Sequence, residues 1–158
     1  MRHISMIWKG LVATIFVAAL VVSSATMAFA EDTASSATPY SNVDSGYSFY
    51  FRSTGATQGT AWRSKDTYSS TYVRVDRQRG HLPLLFVDGA WNADGAGRRN
   101  CTNGGAARAA GPGKYEIHNG VREQGYRFAC LTGYADRGWG YLQGAWSPDC
   151  AGRYVSLN

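Results

Sequence analysis

The sequence is poor in the residues from which most site chemistry is built. It has three histidines and three cysteines in 158 residues. His81 and His118 stand far apart, and no cysteine pair has ligand spacing, so a zinc, copper or iron centre is not expected. No Gly-x-Ser-x-Gly motif marks a serine nucleophile, and Gly104-Gly105 lacks the lysine and hydroxyl of a phosphate-cradling loop. Asp88, Asn92, Asp94 and Gly95 are close in sequence but do not follow a calcium-loop pattern, and turn formation accounts for them. No cofactor is therefore expected. Amphipathic runs of three helical turns are also missing, which leaves no basis for helical layers.

Charge of one sign is scarce too. The formal net charge is +5, and Arg2 and Lys9 belong to the N-terminal segment. Elsewhere Arg74 alternates with Asp76 and Lys65 adjoins Asp66, the pattern of a mixed-charge surface. A nucleic-acid partner is not expected, because it would require basic residues gathered on one face.

What is present begins with an export signal. Arg2 and Lys9 lead an apolar stretch over residues 11–22, and Ala28-Phe29-Ala30 places small residues at the two positions a signal peptidase reads. Residues 1–30 are thus expected to be a cleaved signal peptide. Ser23, Ser24 and Thr26 interrupt the apolar run before it reaches spanning length, so no membrane span is expected in the mature protein. No lipidation cysteine or C-terminal anchor is apparent, and the expected location is secreted, extracellular. Residues 31–45, rich in Ser and Thr, read as a flexible lead-in, and residues 46–158 as one domain.

In that domain the strongest periodicity is two. Tyr47, Phe49 and Phe51 share one face, with Ser48, Tyr50 and Arg52 on the other; Thr71, Val73 and Val75 alternate with Tyr72, Arg74 and Asp76. A third strand begins at Leu84, after Pro83, which cannot donate to a ladder. Asp88-Gly89, Asp94-Gly95 and Asn119-Gly120 read as turns, and residues 106–110 as one helical turn. Further strands are expected around Tyr115 and Ile117, over 126–132, over 139–146 and over 153–157. Six to seven short strands separated by turns predict an all-β protein, an antiparallel β-sandwich or small barrel.

Cys101 and Cys150 sit in turn-rich surroundings and Cys130 in a strand, so the expected disulfide joins Cys101 to Cys150. On the chain-entropy account it would contribute about 4 kcal/mol. Cys130 is then a buried thiol. Acid–base chemistry, if any, falls to Glu116, His118 and Glu123, of which Glu116 and His118 share one strand face. Aromatic side chains are abundant, with five tryptophans and ten tyrosines. Tyr50, Trp62, Tyr72 and Trp91 are the candidate binding residues, since flat rings with polar tips suit sugar faces and protein surfaces.

Several segments carry a resemblance: Tyr47-Ser48-Phe49-Tyr50-Phe51, Arg63-Ser64-Lys65-Asp66 with Ser69-Ser70-Thr71-Tyr72-Val73, and Trp146-Ser147-Pro148-Asp149-Cys150 with Leu157-Asn158. With the leader, they resemble small exported β-rich proteins of Gram-positive bacteria without assigned function, over most of residues 46–158. In size, leader and aromatic content the chain is also similar to lactococcin-like bacteriocins, small β-sandwiches implicated in blocking cell-wall synthesis. The expected function is a secreted, non-catalytic β-domain that binds cell wall, polysaccharide or a surface protein of the envelope. The alternatives are a bacteriocin-like antimicrobial factor and an extracellular hydrolase. The sequence does not fix an oligomeric state.

Overall fold

The computed structural model describes residues 43–158. The expected signal peptide and nearly all of the expected lead-in lie outside the described residues. Val43 and Asp44 are exposed and irregular, and the first strand begins at Ser45.

Eleven strands and no helix form among the described residues. Six strands have five or more residues: β1 (Ser45–Phe51), β4 (Thr71–Gly80), β5 (Leu84–Ala90), β8 (Gly113–Ile117), β9 (Phe128–Tyr134) and β10 (Gly140–Ser147). Five are short: β2 (Thr57–Gly59), β3 (Arg63–Ser64), β6 (Arg99–Asn100), β7 (Ala107–Arg108) and β11 (Val155–Ser156). The five-stranded sheet runs β1-β10-β4-β8-β11. In the six-stranded sheet β9 and β5 are central, flanked by β2 and β3 on one side and β6 and β7 on the other. The sheets pack as a sandwich and do not close into a barrel. All pairings are antiparallel except that of β11 with β8.

Period-two patterning places the core. Tyr47, Phe49, Phe51, Val73, Val75, Leu142 and Trp146 face inward from the five-stranded sheet, and Leu85, Val87, Ala129 and Leu131 meet them from the other. The approach is close. A Cβ at Gly133 of β9 would lie 2.8 Å from the Phe51 ring and 2.9 Å from the Phe49 ring, so glycine there leaves room for two aromatic side chains.

Several sequence expectations are corrected. Residues 106–110 hold no helical turn; Ala107 pairs with Leu85 as β7, and burial of Ala107 and Ala109 against the core outweighs the helix propensity of alanine. Asp88-Gly89 is not a turn but the interior of β5, where Gly89 makes room for the Cys101 sulfur and the Tyr126 ring. Asn119-Gly120 closes no hairpin. Asn119 is buried, bridges to Thr102, and donates through Nδ2 to Thr71 Oγ1 at 3.1 Å. Lys65, read as part of a mixed-charge surface, has only 1% of its side chain exposed.

Lys65 reaches inward to Asp149, Nζ to Oδ1 at 3.0 Å. Its ammonium also donates to the carbonyls of Pro148, at 2.8 Å, and Ser69. The Asp149 carboxylate accepts from the backbone N–H groups of Asp66 and Thr67 and from the Thr67 hydroxyl. Burial pushes Lys65 below the usual ammonium range against the pull of Asp149. For Asp149 burial acts upward, but the bonds from Thr67, Asp66 and Lys65 prevail and hold its carboxyl below the usual range.

Removing one partner strands a buried charge, so Lys65→Met should cost about 3–5 kcal/mol in urea unfolding, and the double variant with Asp149→Asn should lose less than the sum of the single losses. The pH dependence follows from the sign of the Asp149 shift. Its folded-state pKa is depressed, so its contribution is complete above the unfolded value of about 4 and is lost as pH falls through the folded value. Thermal melts should show stability falling on that acid limb, with a shallower fall in Asp149→Asn.

One irregularity shapes the outer face of the five-stranded sheet. Gln143 opposes Arg77 while Gly144 opposes Val75, so Asp76 is an extra, unpaired residue on β4. Such a bulge resets the alternation. Before it Thr71, Val73 and Val75 point inward; after it Arg77 and Arg79 point outward beside Gln143 and Tyr141, whose neighbour Leu142 is fully buried. The bulge requires glycine opposite it, because a Cβ at Gly144 would fall on the Arg74 carbonyl. Gly144→Ala should therefore destabilise by about 1–3 kcal/mol. Gly111→Ala, which meets nothing within 4 Å, should stay within about 0.5 kcal/mol, both read from denaturant midpoints.

Candidate functional site

The four aromatic candidates do not converge. Trp62 and Trp91 both serve the turn over residues 91–98: the Trp62 indole lies on Gly95, the Trp91 indole on Gly97, and Trp91 packs on Tyr126 at 4.5 Å. Positive φ at Gly95 and Gly97 lets the chain fold under these rings. Tyr72 is on the outward face of β4, as alternation predicts, yet is only 8% exposed because Tyr154 from the C-terminal segment packs on it at 5.0 Å. Tyr50 is 52% exposed.

Tyr50 belongs to a groove of about 420 Å³ with Arg77, Arg79, Trp139 and Tyr141. Register explains the grouping. Tyr50 on β1 opposes Tyr141 on β10, which opposes Arg79 on β4, and the next outward row is Ser48, Gln143 and Arg77. The Tyr141 hydroxyl donates to Gln143 Oε1 at 2.7 Å, fixing that ring. Trp139 is 49% exposed, and its ring rests on Gly80, where a Cβ would approach within 3.0 Å. Gly80 also has φ +69, so glycine is needed there both for the turn and as the seat of the indole.

The electrostatics of this face divide along the bulge. Arg74 is paired with Asp76 at 2.9 Å and lies 3.8 Å from Asp44. Arg77 and Arg79 are exposed and have no carboxylate partner among the described residues. Guanidinium groups offer planar, bidentate donors suited to carboxylate and phosphate. The groove can thus bind an anionic group beside a stacked ring. Arg77, Arg79, Trp139 and Tyr141 are absent from the sequence-derived candidates. The alternation of Tyr141 and Gln143 about Leu142 carries a signal for Tyr141. Nothing in the sequence marks the bulge that turns the two arginines outward.

The acid–base candidates are elsewhere. His118 Nε2 is 3.7 Å from Glu116 Oε1, and Ser70 Oγ is 2.8 Å from His118 Nδ1. Glu116 Oε2 faces the C-terminal segment, 3.5 Å from the Tyr154 N–H, while Asn158 bonds the His118 backbone through both its N–H and its carbonyl. These residues strap the C-terminal tail to β8. Glu123 lies apart, exposed in the turn over 121–125. Of the acidic residues near positions 88–95, Asp88 accepts from Arg98 at 2.7 Å and from Thr132 at 2.6 Å, and Asp94 accepts from the Ala96 N–H. Among the described residues no group of three or more His, Cys, Asp or Glu side chains is arranged to hold a metal ion, and no helix is long and apolar enough to cross a membrane.

The matching family model spans residues 33–150. The chain belongs to DUF2712, a protein family of unknown function. No curated protein matches it, and no solved structure does. The match covers the Lys65–Asp149 pair, the bulge and the whole groove of this DUF2712 chain, and it ends at Cys150, before the tail.

The expected disulfide between Cys101 and Cys150 is not formed; all three cysteines are free and buried. Each thiol is occupied locally. Cys101 packs in the core with Gly89 and Tyr126, Cys130 donates to the Thr60 carbonyl at 3.1 Å, and Cys150 donates to the Gly152 carbonyl at 3.2 Å. Turn-rich surroundings in sequence did not bring Cys101 and Cys150 together. Burial pushes the Cys101 and Cys150 thiols above their usual range, which suppresses the reactive thiolate. Titration of the native protein with an aromatic disulfide reagent should therefore be slow, and unfolding in denaturant without reductant should release all three thiols at once.

Proposed function

We propose that this chain is an exported, non-catalytic β-domain of a Gram-positive bacterium that binds a component of the cell envelope through the outer face of its five-stranded sheet. The observation that carries this reading is the groove over Tyr50, Trp139, Tyr141, Arg77 and Arg79, which combines half-exposed rings with two guanidinium groups lacking carboxylate partners among the described residues. Its volume falls in the range of small-ligand sites, and rings with polar tips bury area at little rotamer cost. Trp62 and Trp91 seat the turn over residues 91–98 and Tyr72 lies under Tyr154; Trp91 stays half exposed but is not among the groove residues, whereas the half-exposed Tyr50 and Trp139 share one groove with Arg77 and Arg79. The sequence supports export through the basic lead, the apolar run and Ala28-Phe29-Ala30.

Sedimentation of the purified protein with isolated cell wall and with insoluble polysaccharides tests the reading. The wild type should be retained, Trp139→Ala and Tyr50→Ala should each weaken retention about tenfold or more, and Tyr68→Ala, outside the groove, should leave it unchanged. No retention on any material would overturn the proposal.

A further inference from the structure

A second groove, of about 330 Å³, is lined by Gln78, Gly80, His81, Leu82, Arg108 and Arg137. It lies at the end of the sandwich, round from the outer face, where Gln78 is opposite the inward Leu142, and Gly80 of its lining is the seat of the Trp139 ring. Three turns converge there. The His81 N–H donates to the Trp139 carbonyl at 3.0 Å, and the Gly138 N–H donates to Thr54 Oγ1 at 2.8 Å. This second groove is also basic: Asp136 is held by Arg108 at 2.7 Å and lies 3.8 Å from Arg137, so one carboxylate faces two guanidinium groups.

We propose that the ligand of this face is an extended anionic glycan, running from the Arg77–Arg79 groove across Trp139 into the groove of His81 and Arg137. This rests on reading the outer face as the binding surface. The Tyr50–Tyr141–Arg79 row alone covers two interstrand spacings, about 10 Å, more than one sugar ring occupies, and the second groove lengthens the track. Arg77 and Arg79 present forked donors for carboxylate or phosphate oxygens, while Trp139 offers a flat, seated ring between the two cationic stretches.

Other polymer classes fit less well. A peptide adding as a strand needs a free edge, but β10 and β4 are paired on both sides, and the edge strand β1 is capped where the Gln58 amide bonds both the N–H and the carbonyl of Tyr50, at 2.8 and 2.9 Å. A nucleic acid fits poorly with an exported chain, and Asp136 sits among the cations of the second groove.

Calorimetric titration of the purified chain tests this with neutral glucan oligosaccharides, oligogalacturonates of increasing length, a phosphate-bearing mannan and a single-stranded oligonucleotide. The acidic glycans should bind at least about tenfold more tightly than neutral ones of equal length. Their affinity should rise with length beyond the disaccharide and fall with added salt. Arg77→Gln and Arg79→Gln should each weaken every acidic ligand about tenfold without moving the melting temperature, and Arg137→Gln should weaken only the longer oligomers. Preference for the carboxylate or the phosphate polymer identifies the acid, and either upholds the proposal. Retention on neutral glycan, unaffected by salt or by the arginine substitutions, would overturn the acidic ligand and leave the binding face standing. Length-independent affinity would remove the second groove, and tighter binding of the oligonucleotide would replace the ligand class. Absence of binding to every glycan and to cell wall would remove both readings.

Discussion

An ammonium and a carboxylate removed from water each cost several kcal/mol unless every donor and acceptor finds a partner. Lys65 and Asp149 meet that condition, and the positions of the neighbouring segments follow. The pair ties residues 65–71 to residues 147–150: Lys65 Nζ takes the Pro148 carbonyl, the Thr71 hydroxyl donates to the same carbonyl, and Ser69 Oγ accepts from the Cys150 N–H. Asn119 joins through Thr71 and brings in the end of β8. These bonds fix where β4 begins and where β10 ends. The two strands are neighbours, with Ser147 opposite Tyr72, so this end sets the register of the rest. Followed along the ladder, that register leads to the bulge at Asp76 and then to the two outward arginines.

Which parts were legible in the sequence follows from the range of the interaction behind each. The inward faces of β1 and of the first half of β4 come from strict alternation, a local signal, and Tyr47, Phe49, Phe51, Val73 and Val75 lie where it puts them. Pro83 marks the start of β5, and the run over 126–132 reads as a strand with both faces at least partly covered, as β9 over Phe128–Tyr134 is. Features that depend on partners distant in sequence were not legible. Asp88-Gly89 has turn chemistry, but Arg98 and Thr132 supply partners that let Asp88 stay in a strand. Lys65 beside Asp66 resembles solvated surface until Asp149, far along the chain, is brought to it. The cysteines share a kind of neighbourhood but no common location.

The candidate site shows the same division. Tyr50 was legible because it alternates with buried rings. Tyr72 was equally legible as outward-facing, and its covering by Tyr154 depends on a tail that returns to pair with β8. Arg77 and Arg79 continue the parity of the inward residues Thr71, Val73 and Val75, so alternation alone would bury them. Only the extra residue at Asp76 turns them out, and only the missing Cβ of Gly144 gives the Arg74 carbonyl room at that bulge.

Countercharges are unevenly distributed over the outer face of the five-stranded sheet. Arg74 has Asp76 and Asp44, Arg98 has Asp88, and Arg108 has Asp136. Arg77 and Arg79, two apart on one strand and so on one face, have no such acid among the described residues. Seated and tethered rings add little ordering cost on binding, and Trp139 on Gly80 and Tyr141 on Gln143 are both held before any ligand arrives. On β4 itself the bulge separates a neutralised arginine, Arg74, from two that stand open beside held aromatic rings, and the proposed binding surface rests on that contrast.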